Sequence, residues 1–485
     1  MNPKKYLVFA VVAAVLSLSS CSGVHNRCTT NCVVNGDALL SVSISDTPPA
    51  NTTILSFTLP ITGIKLTTST GTDVSVFGST ANFELTRLQS DSDVVVTNAS
   101  VPAGTYTSLT VAFGSPKGVF INASGSTVGT CAAGAVCPIS GAFSSITVPL
   151  INFTLNANAN QWLDLDFNYN NAIDTSAGIG INLQLANVLA VNTSKPIGVS
   201  SGDFANVDDF TGQVLATPTT ANGITLKSTT RGNLTAEINS STQVFDPQGL
   251  CSTAGIATLS CIKVGSIVSL QGVLTTAGTV LATSLDIIDF SSTPVDEVEG
   301  TIYPSNCNGG ANFGMILSDS SITTSGSPLA SAGFGGGVCL TVSPTATFPV
   351  DFGILTGQPG LPVTGFTNAN DLLAGQTVRA KVTGAATGTN NLINATATAM
   401  ILRFSRLTGA VGTTSTTGFS ISGLPSYITA FSTAAQVQVY QNATLFEGVT
   451  DSSTLQGTAS ISALFLNPST SPTTGPLQAA KVRQH

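Results

Sequence analysis

The chain has 485 residues, of which 42% are hydrophobic and only 8% are charged, and its formal net charge is −8 at pH 7. Its sixteen Lys and Arg residues are spread along the whole sequence. Because phosphate binding needs clustered cations, we expect no nucleic-acid partner. Low charge together with many Thr, Ser, Gly and Val residues is typical of exported β-structure and unlike the usual disordered composition.

The N-terminus has the pattern of a lipoprotein export signal. Lys4 and Lys5 precede an apolar run over residues 6–18, and the sequence LSSC at 18–21 fits a bacterial lipobox. We therefore predict that residues 1–20 are a signal peptide and that Cys21 is acylated, with palmitate among the expected chains, so that the mature protein is anchored to a membrane. The non-acidic Ser22 favours the outer membrane, on its periplasmic or surface-exposed side. No later segment is long and apolar enough to span a bilayer.

Short β-strands are predicted after a polar tether at residues 21–35. Between residues 36 and 197, apolar and polar residues alternate in bursts that are broken by turn residues. Strands at this spacing, with Gly- and Pro-rich turns, indicate a β-sandwich. The bursts are residues 39–44, 54–59, 61–66, 93–96, 106–113, 146–155, 162–167 and 181–191.

An internal repeat occupies the remainder, predicted as units 204–292, 293–403 and 404–485. Their openings are VDDFTGQV at 207–214, VDEVEGTI at 295–302 and FSRLTGAV at 404–411, with glycine always at the sixth place. A glycine inside a strand marks a bulge or a close backbone approach. Closing elements recur as well, at 265–268 and 375–378 and again at 278–282 and 475–479. Each unit has the size of a small β-barrel, and the middle one carries an insertion. We expect modules in series to extend the reach of the anchored protein.

Eight cysteines remain after Cys21. Pairing each with its nearest neighbour places every disulfide within one unit, as expected in an oxidising compartment. The predicted pairs are Cys28–Cys32, Cys131–Cys137, Cys251–Cys261 and Cys307–Cys339. The alternative is a metal site at the tether from His25, Cys28 and Cys32, although a closed zinc site needs four ligands.

Histidine-based catalysis is not expected. The two histidines, His25 and His485, lie at the ends of the chain, whereas a catalytic triad needs an imidazole fixed beside its nucleophile. The glycine run at 333–337 lacks the lysine and the following helix of a phosphate loop, so no nucleotide is expected either. We predict that the protein is not an enzyme, with a carboxylate- or metal-dependent hydrolase as the alternative.

Residues 162–167 (WLDLDF) carry the candidate ligand contacts. The two-residue period of a strand places Trp162, Asp164 and Asp166 on one face. A solvated or hydrogen-bonded face, calcium ligation and catalysis remain open for the two aspartates, and packing or sugar contact for Trp162. The stretch from Asp166 departs from an EF-hand at its sixth and twelfth places. A looser calcium site could still use Asp166, Asn168, Asn170 or Asp174, so calcium is the one cofactor left open.

Two resemblances follow from these motifs. Residues 36–197 resemble domain-of-unknown-function family 4382, through residues 39–48, VPAGTY at 101–106 and WLDLDF at 162–167. The repeats resemble domain-of-unknown-function family 5666, through their openings and closings. Together they imply an all-β bacterial envelope lipoprotein and no reaction. We expect a non-enzymatic interaction, adhesion or structural role with a glycan or protein partner at the cell surface. The alternative is a carbohydrate- or small-ligand-binding lipoprotein at the outer membrane.

Overall fold

The computed structural model describes residues 36–47, 53–176, 179–193, 206–246, 249–251, 255–290, 295–304, 312–362, 364–388, 392–431, 434–469 and 475–485. These residues form an all-β protein, as predicted. Helical structure within them is limited to short 3-10 turns, and no helix among them is long and apolar enough to cross a membrane. The turns are Leu85–Arg87, Tyr169–Ala172, Leu259–Cys261, Pro328–Ser331, Gly353–Leu355, Ala369–Asp371 and Ser452–Thr454.

The N-terminal domain is a β-sandwich. One layer has the order β13-β10-β1-β5, and the facing layer has the order β8-β7-β2-β6-β9, with β3 and β4 paired to β2. Apolar residues from both layers meet in one core. The strands are β1 Asp37–Asp46, β2 Ile54–Thr68, β3 Asp73–Phe77, β4 Ala81–Glu84, β5 Ser92–Pro102, β6 Gly104–Phe113, β7 Lys117–Ile121, β8 Val136–Ser140, β9 Ser144–Leu155, β10 Asn160–Phe167, β11 Ile173–Asp174, β12 Gly180–Ile181 and β13 Leu189–Asn192.

The predicted strand bursts of this domain lie in strands, with one correction. Residues 181–191 are not one strand: they hold the end of β12, a turn and the start of β13. The alternation there was misleading because the turn residues Asn182 and Gln184 mimic the polar positions of a strand. Asn182 instead closes the turn, since its side chain accepts from the backbone N–H of Gln184 at 3.0 Å.

Repeat 1 is a five-stranded barrel. Counting its strands in chain order without the short edge strand, the first strand pairs with the second and the fourth, the second pairs with the third, and the fourth pairs with the fifth. A parallel bridge between Glu237, just after the third strand, and Leu281 of the fifth closes the barrel. The resulting order 1-2-3-5-4-1 is that of a closed Greek-key barrel of the OB kind. The strands are β14 Asn206–Val214, β15 Ile224–Ser228, β16 Gly232–Ala236, β17 Gln243–Phe245, β18 Ile267–Leu274 and β19 Val280–Asp289. The short β17 adds to the edge of β19.

Repeats 2 and 3 close in the same order, and they share a strand. Ile393–Ser415 is continuous over 23 residues, so its first half is the fifth strand of repeat 2 and its second half opens repeat 3. The insertion of repeat 2 lies mainly between its second and third strands, where residues 322–336 replace the short turn 229–231 of repeat 1. The strands are β20 Asp296–Tyr303, β21 Asn312–Ser321, β22 Gly337–Thr347, β23 Thr377–Thr387, β24 Ile393–Ser415, β25 Gly418–Ser422, β26 Ala434–Gln438, β27 Leu445–Glu447, β28 Thr458–Phe465 and β29 Leu477–Gln484.

The repeated glycine marks a close approach of two strands in all three barrels. A Cβ atom placed on Gly212 would lie 2.7 Å from the carbonyl oxygen of Lys227. The equivalent atom on Gly300 would lie 2.0 Å from that of Ile316, and on Gly409 it would lie 2.4 Å from that of Ser422. A side chain at this place would therefore separate the first strand of each barrel from the second, which explains the motif.

The modules are packed together instead of being strung out. Ser92 of β5 pairs in parallel with Val207 of β14, so one layer of the sandwich continues into the first barrel as a ten-stranded sheet. At the end of the turn Leu85–Arg87, the buried side chain of Arg87 contacts repeats 1 and 2. The expectation that serial modules extend the reach of the protein was therefore wrong, because side chains between the modules hold them side by side.

Candidate functional site

The two faces of β10 separate as predicted, but both are buried. Leu163, Leu165 and Phe167 point into the core of the sandwich. Trp162 is 4% exposed and packs with Val207 in the core of repeat 1. This burial contradicts the role of Trp162 as a surface contact for a ligand: the indole joins two modules and offers no exposed platform for a sugar.

The two aspartates of β10 accept hydrogen bonds from β1 and the residue after it. Asp164 is buried and accepts from the hydroxyls of Ser43 and Ser45 at 2.6 and 2.7 Å. Burial raises the pKa of Asp164 to about 6, against the lowering effect of those two hydrogen bonds. Asp166 accepts from the Thr47 hydroxyl at 2.9 Å, and burial raises its pKa as well. Of the readings left open for this pair, the geometry fits a hydrogen-bonded face that ties β10 to β1.

The residues of the looser calcium site are engaged in local turns. The amide nitrogen of Asn168 donates to the carbonyl of Thr47 at 2.7 Å, and its oxygen accepts from the N–H of Asn171. Asp174 is held by Ser176 and Asn182, whose hydrogen bonds lower its pKa. Asn170 lies within the 3-10 turn Tyr169–Ala172. In the part of the chain that the structure describes, no group of three or more His, Cys, Asp and Glu side chains is arranged to hold a metal ion.

Two of the predicted disulfides are present. Cys131 is bonded to Cys137, and Cys251 is bonded to Cys261. Cys339 is buried in β22, and its predicted partner Cys307 lies outside the described residues. The signal peptide, Cys21 and Ser22, and the tether with His25, Cys28 and Cys32 lie outside them too. His485 is described: partial desolvation and the nearby Arg483 lower the pKa of its ring to about 3, and the ring bonds the Ser460 hydroxyl.

The most distinctive feature of the molecule is a buried network of ion pairs where the four modules meet, called the charge centre below. It contains seven cationic and eight carboxylate side chains. Sequence reasoning took the basic residues to be scattered, yet seven of the sixteen converge here. The charge centre consists of Arg87, Asp91 and Asp93 of the sandwich, Asp208, Asp209 and Arg231 of repeat 1, Glu297, Glu299, Asp351, Arg379 and Arg403 of repeat 2, and Arg406, Glu447, Lys481 and Arg483 of repeat 3.

Arg87 joins the sandwich to two barrels. Its Nε donates to Asp208 Oδ2 at 2.8 Å and its Nη1 donates to Glu299 Oε1 at 2.7 Å. Its Nη2 reaches the backbone carbonyl and the carboxylate of Asp209, at 3.0 and 3.1 Å. Only 3% of Arg87 is exposed, and each nitrogen of its guanidinium donates to a protein acceptor. Arg87 thus links the sandwich to repeats 1 and 2 directly.

Arginines on both sides of the junction between repeats 2 and 3 hold repeat 1. Arg403 donates from Nη2 to Asp209 Oδ2 at 2.6 Å and pairs with Asp351 within its own repeat. Arg406 begins the third barrel and donates from Nη2 to Asp208 Oδ1 at 2.6 Å, and the same nitrogen contacts Asp209. Because β24 is one continuous strand, these two arginines fix barrels 2 and 3 against barrel 1 together.

The last strand returns to the sandwich. Lys481 Nζ lies 2.5 Å from Asp91 Oδ1, and Arg483 donates from Nη1 to the Asp91 carbonyl at 3.0 Å. Arg483 also pairs with Glu447 at 2.7 Å. The C-terminal strand thereby binds the segment that follows the Leu85–Arg87 turn, which closes the ring of contacts among the four modules.

Opposite charges set the pKa values within the centre. Burial alone would raise the pKa of Asp208, but Arg87, Arg406 and Arg231 outweigh it and hold that pKa well below its usual range. Glu299 responds in the same way, and its pKa falls to about 2. Asp286 on the adjoining β19 behaves oppositely. Neither of its carboxylate oxygens has a hydrogen-bond partner within the described structure, and burial raises its pKa to about 7.

This arrangement joins the modules to one another. The carboxylates of Asp208, Asp209 and Glu299 are each almost completely buried and ion-paired, so they do not face a space that a substrate could enter. Removing one partner of such a pair is costly because the remaining charge stays buried. The charge centre therefore acts as a set of long-range clamps.

One sequence signal could have revealed the centre. Charges are rare in this chain, yet they recur inside the repeat motifs: acids at Asp208–Asp209 and Asp296–Glu297 in the openings, and bases at alternate places of later strands, as at Lys481 and Arg483. Alternate residues of a strand share one face. Charges of opposite sign at fixed places of the repeat motif thus indicate that some strands have faces of complementary charge. They do not indicate which of those strands contact one another.

Comparison with known proteins supports one part of this description. Residues 37–184 match the family described as Domain of unknown function (DUF4382), which confirms the resemblance predicted for the N-terminal domain. No curated protein matches the chain. A solved structure titled "drosophila Unr CSD456" aligns with 57% of this chain and 97% of its own at 10% identity, with a TM-score of 0.13. A TM-score this low does not indicate a shared fold.

Proposed function

We propose that the protein is a lipid-anchored component of the bacterial cell envelope with a non-enzymatic interaction, adhesion or structural role. The observation that supports this most is the charge centre, which joins a sandwich and three barrels into one body with its ionised groups turned inward. Such a body presents a large surface of hydroxyl and amide side chains with few charges. That surface suits contact with other envelope components more than chemistry on a bound substrate.

Two further observations favour the envelope. Disulfides such as Cys131–Cys137 and Cys251–Cys261 persist in oxidising compartments. The lipobox before Cys21 supplies the membrane anchor in this proposal, and Ser22 directs the protein to the outer membrane. The resemblance of the repeats to domain-of-unknown-function family 5666 is part of the same proposal, since both resemblances are typical of envelope lipoproteins.

Metabolic labelling tests the anchor. Cells producing the full chain are grown with a palmitate analogue, and the membrane fraction is probed for labelled protein. The wild type and a Cys28→Ala variant should both be labelled and sediment with the outer membrane, whereas Cys21→Ala should lose the label and the membrane association. Equal labelling of Cys21→Ala, or an unlabelled wild type, would contradict the anchor.

An attachment assay tests the interaction role. Cells that lack the protein, cells with the wild type and cells with Cys21→Ala are compared for adhesion to glycan-coated and protein-coated surfaces and for resistance to detergent. We expect the first and third strains to share the same defect, because an unanchored protein cannot link the cell to a partner. Indistinguishable behaviour of all three strains would reject an adhesive or structural role.

A carbohydrate-binding lipoprotein is the second candidate. It is favoured by two clefts that occupy the same place in repeats 1 and 3 and whose accessible side chains are mostly neutral. These clefts replace Trp162, which is buried, as the place where a ligand would be sought.

A further inference from the structure

Two barrels carry a cleft at the same topological position. In each, the cleft lies between the turn after the opening strand, the exit of the third strand, the short strand on the edge of the barrel and the segment before the fourth strand. Their volumes are about 320 Å³ in repeat 1 and about 400 Å³ in repeat 3, which are within the usual range for small-molecule sites. The cleft of repeat 1 is called cleft 1 and that of repeat 3 is called cleft 3.

The equivalence of the two clefts holds at the level of single hydrogen bonds. Thr242 donates its hydroxyl to the carbonyl of Ala282 at 2.7 Å, and Thr444 donates to that of Ala479 at the same distance. Ala282 and Ala479 are the last residues of the closing motifs that the sequence aligns. The register of the short strands agrees, because Gln243 pairs with Ser284 in β19 and Leu445 pairs with Lys481 in β29, each two residues after the alanine.

This register aligns the residues that line the clefts. An exposed carboxamide stands at the exit of the third strand in both, Asn239 in cleft 1 and Gln441 in cleft 3. An apolar side chain of the short strand follows, Val244 in cleft 1 and Phe446 in cleft 3. The equivalence therefore extends from the backbone to the side chains at these two positions, while the aligned residues Gln243 and Leu445 differ in polarity.

Hydroxyl groups complete the rim of each cleft. Thr220 and Thr258 contribute them in cleft 1, and Thr416 and Thr450 contribute them in cleft 3; all four residues are exposed. Beside them lies a further apolar side chain, Ile256, which is 61% exposed. Each cleft thus combines an apolar floor with a rim of carboxamide and hydroxyl groups, to which Gln243 adds a second carboxamide in cleft 1 and Asp451 adds a carboxylate in cleft 3.

The composition of the clefts restricts the class of ligand. Among the described residues that line them, none carries a positive charge, so a phosphate or a carboxylate would have no ion-pairing partner there. A peptide strand could not extend β17 at this place in the manner of β-augmentation. Its open edge is already used, because the N–H of Ala257 donates to the carbonyl of Val244 at 2.9 Å and Phe245 bridges to Ile256.

We propose that clefts 1 and 3 are equivalent binding sites for a neutral oligosaccharide. Sugar rings have apolar faces and uncharged hydroxyl edges, which match an apolar floor and a rim of amide and hydroxyl groups. Phe446 supplies an aromatic surface in cleft 3. Asn239 Oδ1 accepts from the N–H and the hydroxyl of Ser241, so Asn239 offers its amide N–H groups to ring oxygens, whereas Gln441 offers a donor and an acceptor. This inference rests on the carbohydrate-binding candidate of the proposed function and names the site for it. It does not depend on the lipid anchor.

The test measures binding of defined sugars to the full-length protein in detergent. Cellohexaose, chitohexaose and the anionic hexagalacturonate are titrated in turn and followed by saturation-transfer NMR and calorimetry. We expect a neutral hexasaccharide to bind and an Asn239→Leu/Gln441→Leu double variant to bind it at least tenfold more weakly. The exposed Gln436→Leu on the outer face of repeat 3 is the matched control and should bind like the wild type.

The other outcomes of this titration distinguish an error about the location of the site from an error about carbohydrate binding itself. Binding that survives in the double variant would overturn the clefts as the site and leave the carbohydrate-binding function standing. Preference for hexagalacturonate would overturn the neutral class. Absence of binding by all three sugars at millimolar concentration would overturn the inference, while the palmitate labelling described above would still decide the anchor. Asn239 and Gln441 are exposed, and the bonds that Asn239 accepts from Ser241 belong to a local surface turn. Circular dichroism and urea unfolding should therefore show both variants folded as the wild type.

Discussion

Replacing Arg87 with methionine is the sharpest test of the charge centre. The variant keeps a flexible apolar stem of similar length but removes the guanidinium that contacts Asp208, Asp209 and Glu299. Three carboxylates then remain in a dry environment with fewer cations. Truncating one partner of a buried pair typically costs about 3–5 kcal/mol, and we expect the free energy of unfolding to fall by that amount.

Urea unfolding is the appropriate assay, because guanidinium chloride would screen the ion pairs under study. An exposed pair provides the control: Lys65 and Asp73 are 3.9 Å apart with more than half of each side chain exposed. Lys65→Met should cost no more than about 1 kcal/mol.

A double-mutant cycle identifies the source of the loss. If Arg87 acts through Glu299, then Glu299→Gln in the Arg87→Met background should cost less than in the wild type, with a coupling of about 1–3 kcal/mol. A loss below about 1 kcal/mol for Arg87→Met, or additive effects of the two substitutions, would refute the view that this network holds the modules together.

Three further substitutions probe separate features. The pKa of Asp286 is about 7 in the folded protein, against an ordinary value of 3.8 for aspartate. The folded state therefore holds the proton to higher pH than the unfolded state, and stability falls as pH rises between these values. Asp286→Asn should remove that fall and gain roughly 4 kcal/mol at pH 8; urea titrations of both proteins at pH 4 and pH 8 would disprove the idea if the difference between them did not change. Gly300→Ala would place a Cβ 2.0 Å from the carbonyl oxygen of Ile316 and should lower stability by about 3 kcal/mol or more. In the control Gly63→Ala the nearest contact of the new Cβ would be 3.6 Å, and stability should change by less than about 1 kcal/mol. Equal effects of the two substitutions in thermal unfolding would argue against the close-approach explanation. Trp162→Ala should lower the free energy of unfolding by about 3–5 kcal/mol without changing the affinity for the sugar. Loss of sugar binding in a variant that circular dichroism shows to be folded would indicate that Trp162 does contact the ligand.

The sequence by itself determined the local structure. The alternation of apolar and polar residues predicted the strands, because successive side chains of a strand point to opposite faces. It also placed Leu163 and Trp162 on opposite faces of their strand correctly. It failed at residues 181–191, where turn residues copied the polar places of a strand. The repeat with its glycine also predicted the barrels and the close approach at Gly300, because a missing side chain is a local requirement that is readable from a single position.

Only the tertiary structure decided where the charges go and which surfaces stay open. Arg87 and Glu299 are 212 residues apart, and Lys481 and Asp91 are 390 apart. Periodicity states which face a side chain occupies, but it does not state which face of another module will cover it. For the same reason the sequence left a surface role possible for Trp162, which repeat 1 covers in the structure. Clefts 1 and 3 could not be predicted either, because each is formed by segments from four places of a barrel that only its closure brings together.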